Sequence, residues 1–290
     1  MSGFSAEWLR GREPADVAAR NLELTARAFA WRRRRGPLTV LDLGSGTGAN
    51  VRFLARRFGG AQHWRLLDHD PELLARGIEE IREWAARQGM TVVDEGAALV
   101  LEDVSCHCRL EPVRLDLVGD WEQLEASEVH LVTASALLDL VGANWLERLA
   151  QQCRAWRAAV FIVLSYDGSI VWEPAMAGDE TLRERVNRHQ RTDKGFGPAL
   201  GPDAAATLAA LLRDRGYQVA LRSSPWRLGP EHTALQTALL AGWSEAAREI
   251  EPTSADDLTK WSIQRRRWID RGDSRLWVGH WDLFACLDGD

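Results

Sequence analysis

The chain has 290 residues, of which 46% are hydrophobic and 27% charged, ample material for a large core. A net charge of -6 and a pI near 5.7 argue against a dedicated nucleic-acid surface. No stretch approaches the ~20 apolar residues of a membrane span, and the N-terminus lacks a basic-then-apolar secretion signal, so a cytoplasmic protein is expected.

In chain order, residues 14–35 read as a helix, with Pro14 in its first turn and Val17, Leu22 or Leu24, Ala28 and Trp31 along an apolar stripe. Arg32 to Arg35 close it, since cations are favourable at a helix C-terminus. Strands are expected at about 38–43, 62–68, 112–117, 128–134 and 159–164, alternating with helices at about 48–58, 71–88 and 143–155. That alternation implies a parallel sheet covered on both faces. Residues 91–108 interrupt it with a hairpin, Thr91–Asp94 and Ala97–Asp103, near a sheet edge. A second small hairpin is expected after strand five, turning at Asp167-Gly168 before Ile170-Val171-Trp172.

A polar helix capped by Asp179 then runs to about Arg191, followed by a helix at 202–215 and strands at 217–222 and 276–287. Two helix patterns separate those last strands: Leu235, Leu239, Trp243, Ala247, Ile250, then Leu258, Trp261, Arg265, Trp268. They suggest a helical cap or an oligomer contact, hence a homodimer through this insertion. With no internal repeat, a single domain is expected. Within it lie an N-terminal helical segment (1–36), a ligand-binding core (37–165), a lid (166–201) and the insertion (226–275). Cys106-His107-Cys108 resembles a ligand cluster, but neighbouring ligands rarely close one tetrahedral site and no second pair exists, so no metal is expected.

The most informative run is Val40-Leu41-Asp42-Leu43-Gly44-Ser45-Gly46-Thr47-Gly48-Ala49-Asn50. A buried strand ends on an acid, and three glycines at alternate positions let the backbone turn sharply and approach a nucleoside. Gly44, Gly46 and Ala49 also satisfy a loose dinucleotide fingerprint. The carboxylate two residues before the first glycine favours the amino group and sulfonium of S-adenosylmethionine over a pyrophosphate. This D-x-G-x-G-x-G strand end resembles motif I of the class I S-adenosylmethionine-dependent methyltransferases.

The resemblance implies an α/β, Rossmann-like, seven-stranded sheet of order 3-2-1-4-5-7-6, its last strand antiparallel, with helical insertions here. It implies a methyltransferase that converts S-adenosyl-L-methionine to S-adenosyl-L-homocysteine without a metal. By this likeness Asp42, Gly44, Ser45, Gly46 and Gly48 form the donor loop. Asp68, which ends strand two, accepts the ribose hydroxyls, and His69 flanks the adenine. Asp116 and the Leu117 backbone read the adenine, Ala134 and Ser135 run beneath the methionine moiety, and Arg20 holds its carboxylate. Asp70 is read first as the N-cap of the next helix. His130 stands where many relatives carry an acid, a departure remote from the reactive end.

The acceptor must be held in line with the methyl–sulfur bond, a problem of proximity and orientation, with a general base for a protonated acceptor. His189 is the first candidate base, with Asp139, Tyr166 or His232 as alternatives. Arg191 and Lys194 suggest a small anionic acceptor, while Trp172 and Trp226 are expected to line its pocket. The chain lacks the aromatic tetrapeptide of adenine and glutamine N-methyltransferases after strand four, which favours a small molecule over nucleic acid. Two other readings stay open: a nicotinamide-dependent oxidoreductase, and a non-catalytic protein that binds the donor.

Overall fold

The computed structural model describes residues 5–120, 128–252 and 255–288. The chain begins with helices α1 (Ala6–Ala19) and α2 (Leu22–Arg32), then β1 (Leu38–Leu43), α3 (Ala49–Phe58), β2 (Gly60–Asp68) and α4 (Pro71–Arg87). The strands β3 (Thr91–Glu95), β4 (Ala98–Glu102) and β5 (Cys106–Arg114) follow as a meander. Next come β6 (Leu131–Ser135), α5 (Ala143–Trp156), β7 (Ala159–Glu173), α6 (Asp179–Gln190) and α7 (Ala204–Arg213). The chain closes with β8 (Tyr217–Ser223), β9 (Trp226–Leu228), α8 (Thr233–Ile250), α9 (Ala255–Arg271) and β10 (Arg275–Leu287).

Among the described residues the strands form one sheet in the order β3-β4-β5-β2-β1-β6-β7-β10-β8, with β9 paired to β10. Strands β5, β2, β1, β6 and β7 are parallel, and β10 runs antiparallel to both β7 and β8. From β5 to β8 this is the expected 3-2-1-4-5-7-6 order. The sheet is widened at one edge by β3 and β4. The central strands are apolar almost throughout because both faces are covered. Leu41, Leu43, Val132 and Ile162 pack toward α5 and α7, whereas Val40, Leu131, Phe161 and Val163 pack toward α2, α3 and α4.

Several elements differ from expectation. The helix expected over 14–35 is two helices: α1 starts earlier, at an N-cap where Ser5 accepts the Trp8 N–H, and Pro14 lies inside it. The break falls at Arg20-Asn21, where the Asn21 N–H donates to Asp282 Oδ2 at 2.8 Å and its side chain caps α2. A partner 261 positions away fixes this joint. The expected hairpin at Asp167-Gly168 is instead a bulge within one strand, because both halves of β7 pair with the same partner, β10. Gly168 takes φ +91 there, and Asp167 Oδ1 accepts the Ser169 N–H. Strand three runs over 106–114 rather than 112–117, which puts Asp116 and Leu117 in the loop beyond it. Cys106 and Cys108 consequently face the core, while His107 pairs with Glu102 on the other face.

The insertion spends its apolar stripe inside this chain. Leu235, Leu239, Ala247, Leu258 and Trp261 are buried with Ile170, Trp172 and Leu276 of the sheet. No helix among the described residues is long and apolar enough to cross a membrane.

Candidate active site

The loop after β1 turns on three glycines, all in the left-handed region: Gly44 at φ +61, Gly46 at +52 and Gly48 at +78. Only glycine holds such angles without strain. The acid of β2 is tied into the same loop. Asp68 Oδ2 accepts the Gly46 N–H at 2.8 Å and its Oδ1 accepts the Asp70 N–H at 3.0 Å. Each carboxylate oxygen keeps a further lone pair. His69 is exposed, with Nδ1 3.3 Å from Asp68 Oδ1. Asp70 caps α4, accepting from Glu72 and Leu73 N–H groups.

Behind the loop lies a buried polar chain centred on Asn50. Its Nδ2 donates to Asp42 Oδ1 at 2.9 Å and reaches Thr133 Oγ1 at 3.3 Å, while its Oδ1 accepts from Arg20 Nη2 at 2.6 Å. Asp42 and Arg20 are thus positioned by one amide, although they come from β1 and the end of α1. Neither is fully satisfied. Asp42 Oδ2, Arg20 Nε and Nη1, and the hydroxyl of Ser45 are all buried without a partner. Burial pushes the Asp42 carboxyl up to about 7, against the pull of the Asn50 hydrogen bond and of Arg20. Burial likewise lowers the Arg20 pKa, opposed by Asp282, Asp16 and Asp42.

On the adenine side, Asp116 Oδ1 accepts the Val118 N–H at 2.9 Å, and the Leu117 carbonyl accepts the Trp145 indole N–H at 2.8 Å. Residues 121–127, which follow this loop, lie outside the described residues. Ala134 is fully buried on β6 and Ser135 ends that strand. Ala136 follows in the left-handed region, φ +53, with its N–H on the Val163 carbonyl. Helix α1 lies across the front. Leu9 Cδ1 is 3.0 Å from where a Cβ on Gly46 would stand, and Glu13 and Arg10 pair with Arg52 and Glu80 of α3 and α4.

The expected acceptor residues fall in different places. Asp139 and Tyr166 come together: both are buried, and the Tyr166 N–H supports the Asp139 carboxyl. The Tyr166 hydroxyl donates to Asn187 Oδ1 at 2.8 Å. Trp226 is buried in the same apolar cluster as Tyr166 and donates its indole N–H to Asp16 Oδ1 at 3.0 Å. His189 lies at the α6–α8 contact, 2.9 Å from Glu249, with Lys194 beside its ring. Arg191 pairs with Asp203 at 2.9 Å. His232 is within 3.2 Å of the Gly229 N–H and beside Glu231 in a local turn. Trp172 packs against Trp243 and Trp261, with the Arg265 guanidinium 5.0 Å from its ring. That tryptophan is part of the core beneath the insertion.

Residues beyond those expected complete the cluster. His280 of β10 is buried, its ring 4.9 Å from Trp226 and 6.4 Å from Tyr166. Burial, reinforced by Arg12, holds its pKa down at about 3, so the imidazole is neutral. Arg12 stacks over Trp226 at 5.0 Å and forms two hydrogen bonds with Asp16. A lone histidine in a strand carries no signal of its own, and the first turns of α1 precede the pattern read as a helix. The Asn50-Thr133 link was equally invisible, because the two are 83 positions apart.

No family model matches the chain, and no curated protein does. Several solved structures are similar to it along most of its length. A cyclopropane synthase from Mycobacterium tuberculosis is 11% identical at a TM-score of 0.48, covering 98% of this chain and 94% of its own. A methyltransferase from Geobacter sulfurreducens, in complex with S-adenosyl-L-homocysteine, is 16% identical at 0.47, with 99% of each chain covered. One from Thiobacillus denitrificans, in the same complex, is 14% identical at 0.44, with 98% of each covered. At these identities and TM-scores the likeness carries no argument about this chain's activity, and the chemistry rests on the residues themselves. Among the described residues no group of three or more His, Cys, Asp or Glu is placed to hold a metal.

Proposed function

We propose that the protein is an S-adenosylmethionine-dependent methyltransferase acting on a small molecule. One observation carries this reading: around the glycine loop, a buried guanidinium and a buried carboxyl each keep an unused hydrogen-bonding edge. An unsatisfied buried polar group costs about 1–3 kcal/mol, more when charged. A ligand presenting a carboxylate to Arg20 and an ammonium to Asp42 would satisfy both. That pair is the α-amino-acid end of the donor, and no dinucleotide carries it. Asp68 and the Gly46 turn would receive the ribose, with Asp116 and Leu117 beside the adenine.

The donor supplies an electrophilic methyl group, so the chain's tasks are to bind, orient and exclude water. Asp139, Tyr166 and Trp226 support an acceptor position beyond β6 and β7. The anionic character expected of the acceptor rested on His189, Arg191 and Lys194. His189 and Arg191 already face Glu249 and Asp203, with Lys194 against His189, so they support an anion weakly. A homodimer through the insertion would have to use the face turned away from its own buried stripe.

Mass spectrometry of purified protein for retained S-adenosylmethionine or its homocysteine product tests the donor. Incubation with the donor and a cell extract, scored for S-adenosyl-L-homocysteine and for a mass gain of one methyl group, tests turnover. Donor binding without turnover would leave a non-catalytic binding protein, and retained nicotinamide cofactor would overturn the proposal.

A further inference from the structure

Resting on that reading, we infer that the acceptor is an amine, bound as its ammonium by Asp139 beside Tyr166. The buried carboxyl has Oδ1 without a partner. Every cation near this cluster already has a carboxylate. Arg12 is held by Asp16 through hydrogen bonds of 2.9 and 3.1 Å. Arg183 and Arg191, whose charges reach the Tyr166 phenol, pair with Glu180 and Asp203. His280, which also faces the cluster, contributes no charge. Among the described residues the buried Oδ1 of Asp139 has no hydrogen-bond partner, and Arg12, which acts on Asp139 at longer range, is committed to Asp16.

An anion would meet the opposite situation: a buried carboxyl, a neutral imidazole whose Nδ1 has no partner, and a guanidinium with its fork already occupied. The Tyr166 ring adds to the preference, since ring quadrupoles attract cations.

The role of Asp139 extends to the proton. Burial raises its pKa, with its own N–H and Arg12 opposing, so the carboxyl takes up a proton more readily than an exposed one. In the transfer, an N–H proton of the ammonium passes to Asp139 and frees the nitrogen lone pair. That pair forms the new N–CH3 bond, and the electrons of the methyl–sulfur bond stay on sulfur. The product is an N-methylated ammonium and a neutral thioether, so charge and atoms balance.

The test uses the full chain saturated with S-adenosyl-L-homocysteine and three probes of similar size: benzylamine, benzyl alcohol and benzoate. The product alone should raise the melting temperature. Benzylamine at about ten times its dissociation constant should add roughly 2–4 °C, and benzoate should add nothing. Asp139→Asn should keep the shift from the product, which also shows that it folds, and lose the shift from benzylamine. A shift with benzoate or benzyl alcohol equal to that with benzylamine would overturn the amine assignment. So would no shift with any probe while the product still binds, or a benzylamine shift unchanged in Asp139→Asn. Absence of the product's own shift would instead overturn the donor reading beneath it.

Discussion

The carboxylate of Asp68 accepts the backbone N–H of Gly46 at 2.8 Å, so the end of β2 and the glycine turn after β1 form one unit. A change in either residue therefore acts on both the loop and whatever the loop holds.

Asp68→Ala removes acceptors for the Gly46 and Asp70 N–H groups as well as the ribose contact. Donor affinity should fall by about 1.5–3 kcal/mol, the loss typical of hydrogen bonds to a charged group. Titration calorimetry on the folded variant is the measurement. An affinity within error of wild type would show that Asp68 serves only the loop.

Arg20→Met separates ligand binding from folding. The arginine brings two unpartnered nitrogens into the interior and contributes one bond, to Asn50. Loss of that bond should cost about 1–2 kcal/mol of stability without ligand. The stabilisation that S-adenosyl-L-homocysteine gives wild type should shrink by a similar amount or more. Paired melting curves, with and without product, give both numbers. Equal product-induced shifts in the two proteins would remove Arg20 from the donor site.

Asp42 makes the ligand-free protein sensitive to pH. Its folded pKa is near 7 against an ordinary value of 3.8, so the folded chain binds the proton more tightly than the unfolded one. Its contribution to stability is complete below about pH 4 and is lost as the pH rises through about 7. Every tenfold gain in proton affinity on folding corresponds to about 1.4 kcal/mol. Asp42→Asn should flatten this part of the stability curve, measured by urea unfolding at a series of pH values. An ammonium on the ligand would draw the Asp42 pKa down, so donor binding near pH 6 should release up to about one proton, detectable from calorimetry in buffers of different ionisation enthalpy.

The first half of the sheet was legible in the sequence because its elements are local. The strand at 38–43, the glycine turn, Asp68 closing β2 and Asp70 capping α4 each follow from short patterns. The misread elements were decided by distant partners. Nothing near Asp167-Gly168 reveals that β10 will pair with the chain on both sides of that turn, and nothing near Arg20 reveals that Asp282 will hold the adjacent joint. The candidate site divides in the same way. The loop residues could be read from a motif, whereas Asn50, Arg12, Asp16 and His280 meet only once the sheet has formed. His189 drew notice because charged residues surround it in sequence, yet in the fold its ring is taken up by Glu249, 60 positions away, with Lys194 beside it.

Gly48→Ala tests the turn independently of any ligand. A Cβ there would stand 2.5 Å from Ile81 Cδ1, at φ +78. Left-handed strain of about 1–2 kcal/mol and the displacement of a packed side chain should together cost about 2–4 kcal/mol in chemical unfolding. At Gly46 the neighbour is the flexible end of Leu9. Gly46→Val should therefore fold and yet bind the donor at least tenfold more weakly, because a branched side chain at φ +52 distorts the turn that Asp68 holds.

Calorimetric titration of wild-type protein with S-adenosyl-L-methionine, run in parallel with NAD, tests the central claim most directly. The account predicts saturable one-to-one binding of the donor, weakened in Arg20→Met and Asp68→Ala, and no heat of binding from NAD. Saturable binding of NAD without binding of S-adenosyl-L-methionine would contradict it.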